Sequence, residues 1–275
     1  MECQVRDVTV HFEQAGAGRP LIALHGWPLD HRHMFHDLEP TFGERQGWRR
    51  IYPDLPGMGL TGGPDWLTHQ DQMLDVVLEF IDSVAPGERF AIAGTSYGGY
   101  LARGVVYRRA KQMDGLLLVV PSMKRFETRA NLPPRQVLRE DPEYLAALGP
   151  DEQDLHDWIV AQSMEVLQAV RKVISPAVAL ADNDFLDRLN KSYSFSFDLD
   201  SLSEPFRAPS LFLMGRQDNW CGYDDAYQIL NSYPRATYAV LDRAGHGLGL
   251  EQKALFRALV SEWLDRVEEY AGQHH

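Results

Sequence analysis

Short apolar runs, separated by stretches long enough for a helix, constrain the fold of this chain more than any other feature. Leu21–Leu24, Arg50–Tyr52, Phe90–Ala93, Leu116–Val120, Leu211–Met214 and Tyr238–Leu241 read as inner strands. Before them, Val5–Glu13 alternates like a half-exposed opening strand. Thr68 is placed to cap a helix whose apolar stripe is Met73, Val77, Phe80, Ile81 and Val84, and a last helix over about Glu251–Tyr270 carries Leu255, Leu259, Trp263 and Val267. Strands alternating with helices imply an α/β fold with a mostly parallel central sheet flanked by helices on both faces. The interval from about Ser122 to Phe206 breaks the alternation. It holds Pro133-Pro134 and helical patterns around Pro142–Leu148, Asp151–Val170 and Asn183–Leu189, with no clear inner strand.

Ser96 lies in Gly94-Thr95-Ser96-Tyr97-Gly98, directly after the run Phe90–Ala93 and before a helical segment with Tyr100, Leu101, Val105 and Val106. A strand that reverses into a helix within a few residues crowds the positions two before and two after the turn, which glycine at 94 and 98 relieves. The hydroxyl is then exposed at a helix N-terminus, where unpaired N–H groups favour developing negative charge. Downstream, Gly215-Arg216-Gln217-Asp218 closes the run Leu211–Met214, and Gly245-His246 follows the run Tyr238–Leu241. Loops at the carboxyl ends of parallel strands share one edge of the sheet, so Ser96, Asp218 and His246 are expected to meet there, in the chain order Ser, Asp, His.

On these blocks the chain resembles the α/β-hydrolase superfamily nearly end to end. Gly94–Gly98 resembles its nucleophile elbow, Gly215–Asp218 its acid turn, Gly245-His246 its histidine loop, and His25-Gly26-Trp27-Pro28 its oxyanion loop. The resemblance implies Ser96, Asp218 and His246 as catalytic residues and the backbone N–H groups of Trp27 and Tyr97 as the oxyanion hole. Asp54-Leu55-Pro56-Gly57-Met58-Gly59 looks like a further family loop of structural rather than catalytic use. The family also commonly inserts a helical cap after the strand at Leu116–Val120. The expected division is therefore a core of residues 1–121 and 207–275 with a helical cap at 122–206. Tyr144, Trp158, Met164, Phe185, Tyr193, Phe195 and Phe197 give the cap apolar surface, most of it packing; His25, Trp158, Met164 and Tyr193 are the candidate pocket residues.

His-Gly-Trp-Pro also resembles epoxide hydrolases and haloalkane dehalogenases, which use an aspartate nucleophile. A serine alkoxide attacking their substrates would leave an ether that water does not readily cleave, so Ser96 points to acyl transfer instead. The expected activity is carboxylesterase-like hydrolysis of a small to medium, largely apolar ester through an acyl-enzyme. Carbon–carbon bond hydrolysis, a cofactor-free haloperoxidase or oxygenase, and a ligand receptor on the same fold are the alternatives, and Trp27-Pro28 in the oxyanion loop favours ester over carbon–carbon cleavage.

A net charge of −12 disfavours nucleic acid and anionic membrane as partners. Two distant cysteines, Cys3 and Cys221, without a basic-then-apolar opening segment or a run near the roughly 20 residues of a membrane span, lead to an expectation of a cytoplasmic protein with free thiols. A small-molecule substrate, no cofactor, and a monomer or homodimer complete the expectation. His31-Arg32-His33-Met34-Phe35-His36-Asp37 superficially resembles a metallo-hydrolase signature, but its last positions are in the wrong order. It reads as an amphipathic helix with Met34, Phe35 and Leu38 inward and the histidines partly solvated, so no metal is expected.

Overall fold

Eight strands form one sheet in the order β1-β2-β4-β3-β5-β6-β7-β8. They are β1 Glu2–Val5, β2 Val8–Gly16, β3 Arg19–Leu24, β4 Trp48–Pro53, β5 Phe90–Thr95, β6 Met113–Val119, β7 Ser210–Gly215 and β8 Ala236–Leu241. The computed structural model describes residues 1–43, 45–123, 132–152 and 158–274. From β4 to β8 all pairings are parallel, while β2 joins antiparallel to β1 and β4. The helices are α1 His31–Leu38, α2 Gln70–Val84, α3 Tyr97–Arg109, α4 Pro142–Ala147, α5 Met164–Ala169, α6 Ser175–Leu180, α7 Asn183–Asn190, α8 Asp224–Gln228, α9 Leu248–Glu251 and α10 Lys253–His274, with a wider π turn at Val170–Ile174 between α5 and α6.

The inner strands are buried at nearly every position and mostly apolar, because both faces of the sheet are covered. Ile22, Ile92, Leu116, Leu118 and Phe212 pack to one side with Met73, Leu74 and Phe80 of α2 and Leu101 and Val105 of α3. Leu21, Ala23, Ala91, Ala93, Leu117 and Leu211 pack to the other with Met34 and Leu38 of α1 and Val260, Trp263 and Val267 of α10. Successive residues of one strand thus serve two cores, as the two-residue period of a strand requires.

Several expectations need correction. Val5–Glu13 is a hairpin rather than one strand: Val5 pairs with Val8 across a turn in which Arg6 has φ +54°. Tyr238–Leu241 belongs to β8, which lies at the sheet edge and keeps one flank unpaired. Helix α2 is capped by His69, not Thr68; its ring accepts from Asp71 N–H while Gln72 reaches back to the His69 N–H. Leu255 of α10 faces outward at 44% exposure, and Phe35 of α1 is 39% exposed and lies against the Tyr52 ring rather than in the core. Part of the helical pattern read over Asp151–Val170 falls on residues outside those described. Of the rest, Arg139 and Ala161 form an isolated parallel bridge, and Ser163 starts α5 by accepting from Val166 N–H.

The turn from β5 into α3 has no room for side chains at two of its positions. A Cβ at position 94 would lie 2.3 Å from the Gly98 carbonyl oxygen, and one at 98 would lie 2.2 Å from that of Leu24 and 2.5 Å from that of His25. Alanine at 98 gains up to about 1 kcal/mol in helix propensity but collides with two main-chain oxygens that have no slack. Gly98→Ala is therefore expected to lose at least about 2 kcal/mol net, measured by chemical denaturation; a neutral substitution would show that the turn relaxes freely.

Candidate active site

Ser96 occupies φ +50°, ψ −115°, a conformation an L-residue adopts only when its surroundings impose it. Here they do. Its N–H donates to the Val119 carbonyl of neighbouring β6 at 2.9 Å, and its own carbonyl accepts from Ser122 N–H at 2.9 Å and Tyr100 N–H at 3.1 Å. The hydroxyl does not cap α3. Its partner is the imidazole of His246, whose Nε2 lies 3.0 Å from Ser96 Oγ.

The other ring nitrogen of His246, Nδ1, lies 3.0 Å from Asp218 Oδ2. Asp218 is fully buried just beyond the end of β7, and its second oxygen, Oδ1, accepts from Trp220 N–H at 2.9 Å and Cys221 N–H at 3.0 Å. Every bond to this carboxylate is a donor's, so it is held as a charge-bearing acceptor beside the ring. Burial pulls the His246 imidazole towards its neutral form. The adjacent Asp218 charge, with a smaller contribution from Cys221, outweighs burial and the ring is pushed up to about 10. Trp220 flanks the imidazole with ring centroids 5.0 Å apart.

His25-Gly26-Trp27-Pro28 leaves β3 beside the elbow, since β3 and β5 are paired through Leu24 and Gly94. A Cβ on Gly26 would be 3.3 Å from Ser96 Cβ. The loop closes through Leu29 N–H to the Gly26 carbonyl at 2.8 Å, and the Trp27–Pro28 peptide is cis. The Trp27 and Tyr97 rings meet edge to face at 5.1 Å, which packs the oxyanion-type loop against the residue that follows the serine. Tyr97 also opens α3, and its N–H has no acceptor within the helix.

A cavity of about 390 Å³ opens over Ser96 and His246. That volume suits a small to medium organic molecule. Its walls come from Trp27 to Leu29, His33, Trp158, Trp220 and Leu250, and from Ile174, Val178 and Ala179 in the segment between β6 and β7. A wider groove of about 500 Å³, between Arg32, His36 and Lys172, includes none of the residues around the serine.

Of the four pocket residues expected, Trp158 lines the cavity and three do not. His25 is fully buried and braces the loop, with Nδ1 2.9 Å from the Gly26 carbonyl and Nε2 accepting from Leu55 N–H at 3.0 Å. Both ring nitrogens are thus committed to main chain. Tyr193 turns into an aromatic stack with Tyr97 and Tyr100, its hydroxyl 2.9 Å from Ser122 Oγ. Met164 starts α5, on the far side of the turn that delivers Ile174. His33, not among the expected pocket residues, lines the cavity with its side chain 12% exposed.

Sequence reasoning also passed over Glu251. One oxygen accepts from Val160 N–H at 2.6 Å and Ala161 N–H at 3.0 Å, and the other from Gly245 N–H at 2.7 Å. Burial pushes this carboxyl up to about 7 even though the three donors pull the other way. It joins the His246 loop to the chain that carries Trp158. An acid shortly after a Gly-His loop was the available signal. Glu251→Ala strands three main-chain N–H groups, so a loss of about 3 kcal/mol is expected, seen in thermal denaturation together with a lower kcat/KM. An unchanged melting temperature would show that water replaces the carboxylate at no cost.

Among the described residues three clusters of side chains come close enough to share a metal ion: His11, Glu13 and His31; Asp30, His31 and Asp54; and Asp218, Cys221 and His246. In the last, the hydrogen bonds to Ser96 and Asp218 already engage both ring nitrogens. Asp54 is engaged too, by the main-chain and ring N–H of His31 and by Leu60 N–H. Cys3 and Cys221 are both free thiols, and no helix among the described residues is long and apolar enough to cross a membrane.

Comparison with known proteins agrees with this geometry. Over 93% of its length the chain is 26% identical to 95% of the AB hydrolase superfamily protein YisY of Bacillus subtilis (strain 168). It is 23% identical, over 94% of its length, to the whole of a pimeloyl-[acyl-carrier protein] methyl ester esterase of Legionella pneumophila (strain Paris). A crystal structure of an alpha/beta superfamily hydrolase from Oenococcus oeni PSU-1 superposes with a TM-score of 0.85 at 27% identity, covering 98% of this chain and 99% of that one. The model of the alpha/beta hydrolase family matches residues 21–259, and the chain therefore belongs to that family and is a hydrolase.

Proposed function

We propose that the protein is a serine carboxylesterase acting on small to medium, largely apolar esters. The observation that carries this reading is the relay of contacts from Ser96 Oγ to His246 Nε2 and from His246 Nδ1 to Asp218 Oδ2, each 3.0 Å, at the floor of an apolar cavity. His246 takes the serine proton as Oγ attacks the carbonyl carbon. The Trp27 and Tyr97 N–H groups receive the developing oxyanion, and Asp218 keeps the ring oriented and stabilises its protonated form. The protonated ring then returns its proton to the departing alcohol. Water, deprotonated by the same ring, releases the acid from the acyl-serine.

Residues 122–206 act in this reading as a helical cap over a core of residues 1–121 and 207–275. In support, Trp158, Ile174, Val178 and Ala179 form wall of the cavity although they lie between β6 and β7 in sequence. Apolar walls exclude water and select by shape. The relatives that carry an esterase name are in keeping with ester cleavage. Fluorophosphonate labelling of the wild-type protein, followed by peptide mapping, tests the nucleophile: the adduct is expected on Ser96. An ester panel graded in chain length then measures the acyl preference. Absence of the adduct, with no ester turned over, would discard the reading and leave the receptor alternative.

A further inference from the structure

The sequence of α1 alone offers no complete metal-binding set, but the fold adds two ligands from β2. His11 and Glu13 are two residues apart on that strand and so project from the same face, and α1 opens with His31 beside them. Each of the three offers one atom, an imidazole nitrogen or a carboxylate oxygen, within 4.8 Å of the other two. His11 Nε2 is 3.8 Å from Glu13 Oε1, and the two imidazole rings are 5.4 Å apart between centroids. Two imidazoles and one carboxylate form a donor set for Zn²⁺ and similar divalent transition metals, with water in the remaining position. Nitrogens at about 2.0–2.1 Å from a tetrahedral Zn²⁺ stand about 3.4 Å apart. Rotation of the Glu13 side chain, 46% exposed, brings its carboxylate to that spacing.

The surroundings favour a cation. His31 Nδ1 lies 2.8 Å from Asp54 Oδ1, which also accepts from the His31 main-chain N–H at 2.8 Å. Oδ2 of the same carboxylate accepts from Leu60 N–H at 2.9 Å, and Asp54 is fully buried. A carboxylate anchored in this way keeps the hydrogen on Nδ1 and leaves the lone pair on Nε2, as behind most metal-bound imidazoles. Among the described residues, His31 Nε2, the His11 ring nitrogens and the Glu13 carboxylate make no hydrogen bond, and none of these nitrogens is sealed from solvent. The groove of about 500 Å³, which Glu13 and His31 help to line, gives an ion its way in. Arg32, next along α1, is paired with both oxygens of Asp30.

We propose that His11, Glu13 and His31 form a binding site for one divalent transition metal ion, Zn²⁺ above all, with Asp54 orienting His31. None of the three lines the cavity over Ser96, so the ion takes no part in the chemistry there. Its role is that of a clamp. It fastens β2 to the first residue of α1, just downstream of the loop His25–Pro28. An ion held by the folded chain and not by the unfolded one raises stability as its concentration rises above Kd. The site stands whether or not the cavity cleaves esters.

The experiment strips the protein with EDTA, titrates it with ZnCl₂ by calorimetry, and measures its melting temperature with and without the metal, for the wild type, His11→Ala, Glu13→Gln and Cys221→Ser. The wild type should take up one Zn²⁺ per chain at micromolar metal and melt about 5 °C higher at about a hundred-fold excess over Kd. His11→Ala and Glu13→Gln should each weaken binding at least about ten-fold, since removing even a group behind a ligand costs that much, and should lose the thermal shift. If His11→Ala does not fold, Glu13→Gln carries the test, because its side chain is half in solvent and has no hydrogen bond to lose. Cys221→Ser should bind as the wild type does, which separates this site from the cluster of Asp218, Cys221 and His246. The inference is overturned if the wild type takes up no Zn²⁺, if uptake survives unchanged in His11→Ala or Glu13→Gln, or if Cys221→Ser abolishes it. Failure of the esterase proposal looks different: no ester is turned over and Ser96 takes no fluorophosphonate, whatever the metal titration gives.

Discussion

Ser96→Ala is expected to lower kcat for ester hydrolysis by a factor on the order of 10⁵ to 10⁶ and to abolish fluorophosphonate labelling, while substrate affinity changes little. The size follows from what is removed. Without Oγ there is no acyl-enzyme, and His246 Nε2 loses the group 3.0 Å away that it would deprotonate. The cavity walls and the backbone donors remain, so a residual rate above that in water should persist. The same variant separates esterase from oxygenase or haloperoxidase chemistry on this fold, because a reaction run by the His–Asp pair alone would survive it. Stability supplies a second readout. Ser96 sits at φ +50°, ψ −115°, which alanine tolerates no better than serine, whereas glycine carries no such penalty. Ser96→Gly should thus be as inactive as the alanine variant but more stable by about 1 kcal/mol or more. If both variants melt alike, the elbow stores no strain at this residue; if both stay active, Ser96 is not the nucleophile.

The three residues of this relay were legible in the sequence because each closes an apolar run, and runs buried on both faces are the least ambiguous pattern a parallel sheet writes. Ile22, Ile92 and Leu117 are apolar for packing reasons that act on either side, so the strand ends could be located and the residues following them placed on one rim. The same logic misplaced β8. An edge strand keeps apolar residues against its single neighbour and the helices beside it, and Tyr238–Leu241 therefore reads like an inner run. The hairpin turn at Arg6 carried no sign at all, because arginine is not a residue that announces positive φ.

Depth was harder to read than position. His31, His33 and His36 share one short helix, and spacing alone does not tell that His33 lines the cavity while His31 and His36 line the neighbouring groove. The cavity wall was legible only in part. Besides Leu29 and Leu250, its aliphatic portion comes from the π turn and α6, where Pro176 in the first turn of a helix was the missed signal. Among the cap aromatics, Tyr144 and Phe185 are fully buried as packing, as most of that surface was expected to be.

Asp218→Asn tests the electrostatics of the proposed mechanism and should be nearly as damaging as loss of the serine, on the order of 10⁴ in kcat near neutral pH. The reason is local. Asp218 Oδ1 accepts from two main-chain N–H groups, those of Trp220 and Cys221, so an asparagine would give its carbonyl oxygen to them and turn its NH₂ towards His246 Nδ1. The ring would answer with a lone pair at Nδ1 and a hydrogen on Nε2, facing Ser96 Oγ with a donor where an acceptor is needed. The pH profile should change in the opposite sense to a simple weakening. In the wild type the Asp218 charge outweighs burial and holds His246 up at about 10. The free ring acts as base only when neutral, so kcat/KM should climb through neutral pH into the alkaline range, rather than level off near the ordinary imidazole value of about 6.5. Removing the charge leaves burial in command, and the variant's residual activity should reach its plateau below that ordinary value. A wild-type profile already flat at pH 7, or a variant whose midpoint does not move down, would mean that Asp218 does not set the proton affinity of His246. The relay would then be a set of short contacts without the electrostatic coupling on which the proposed ester cleavage depends.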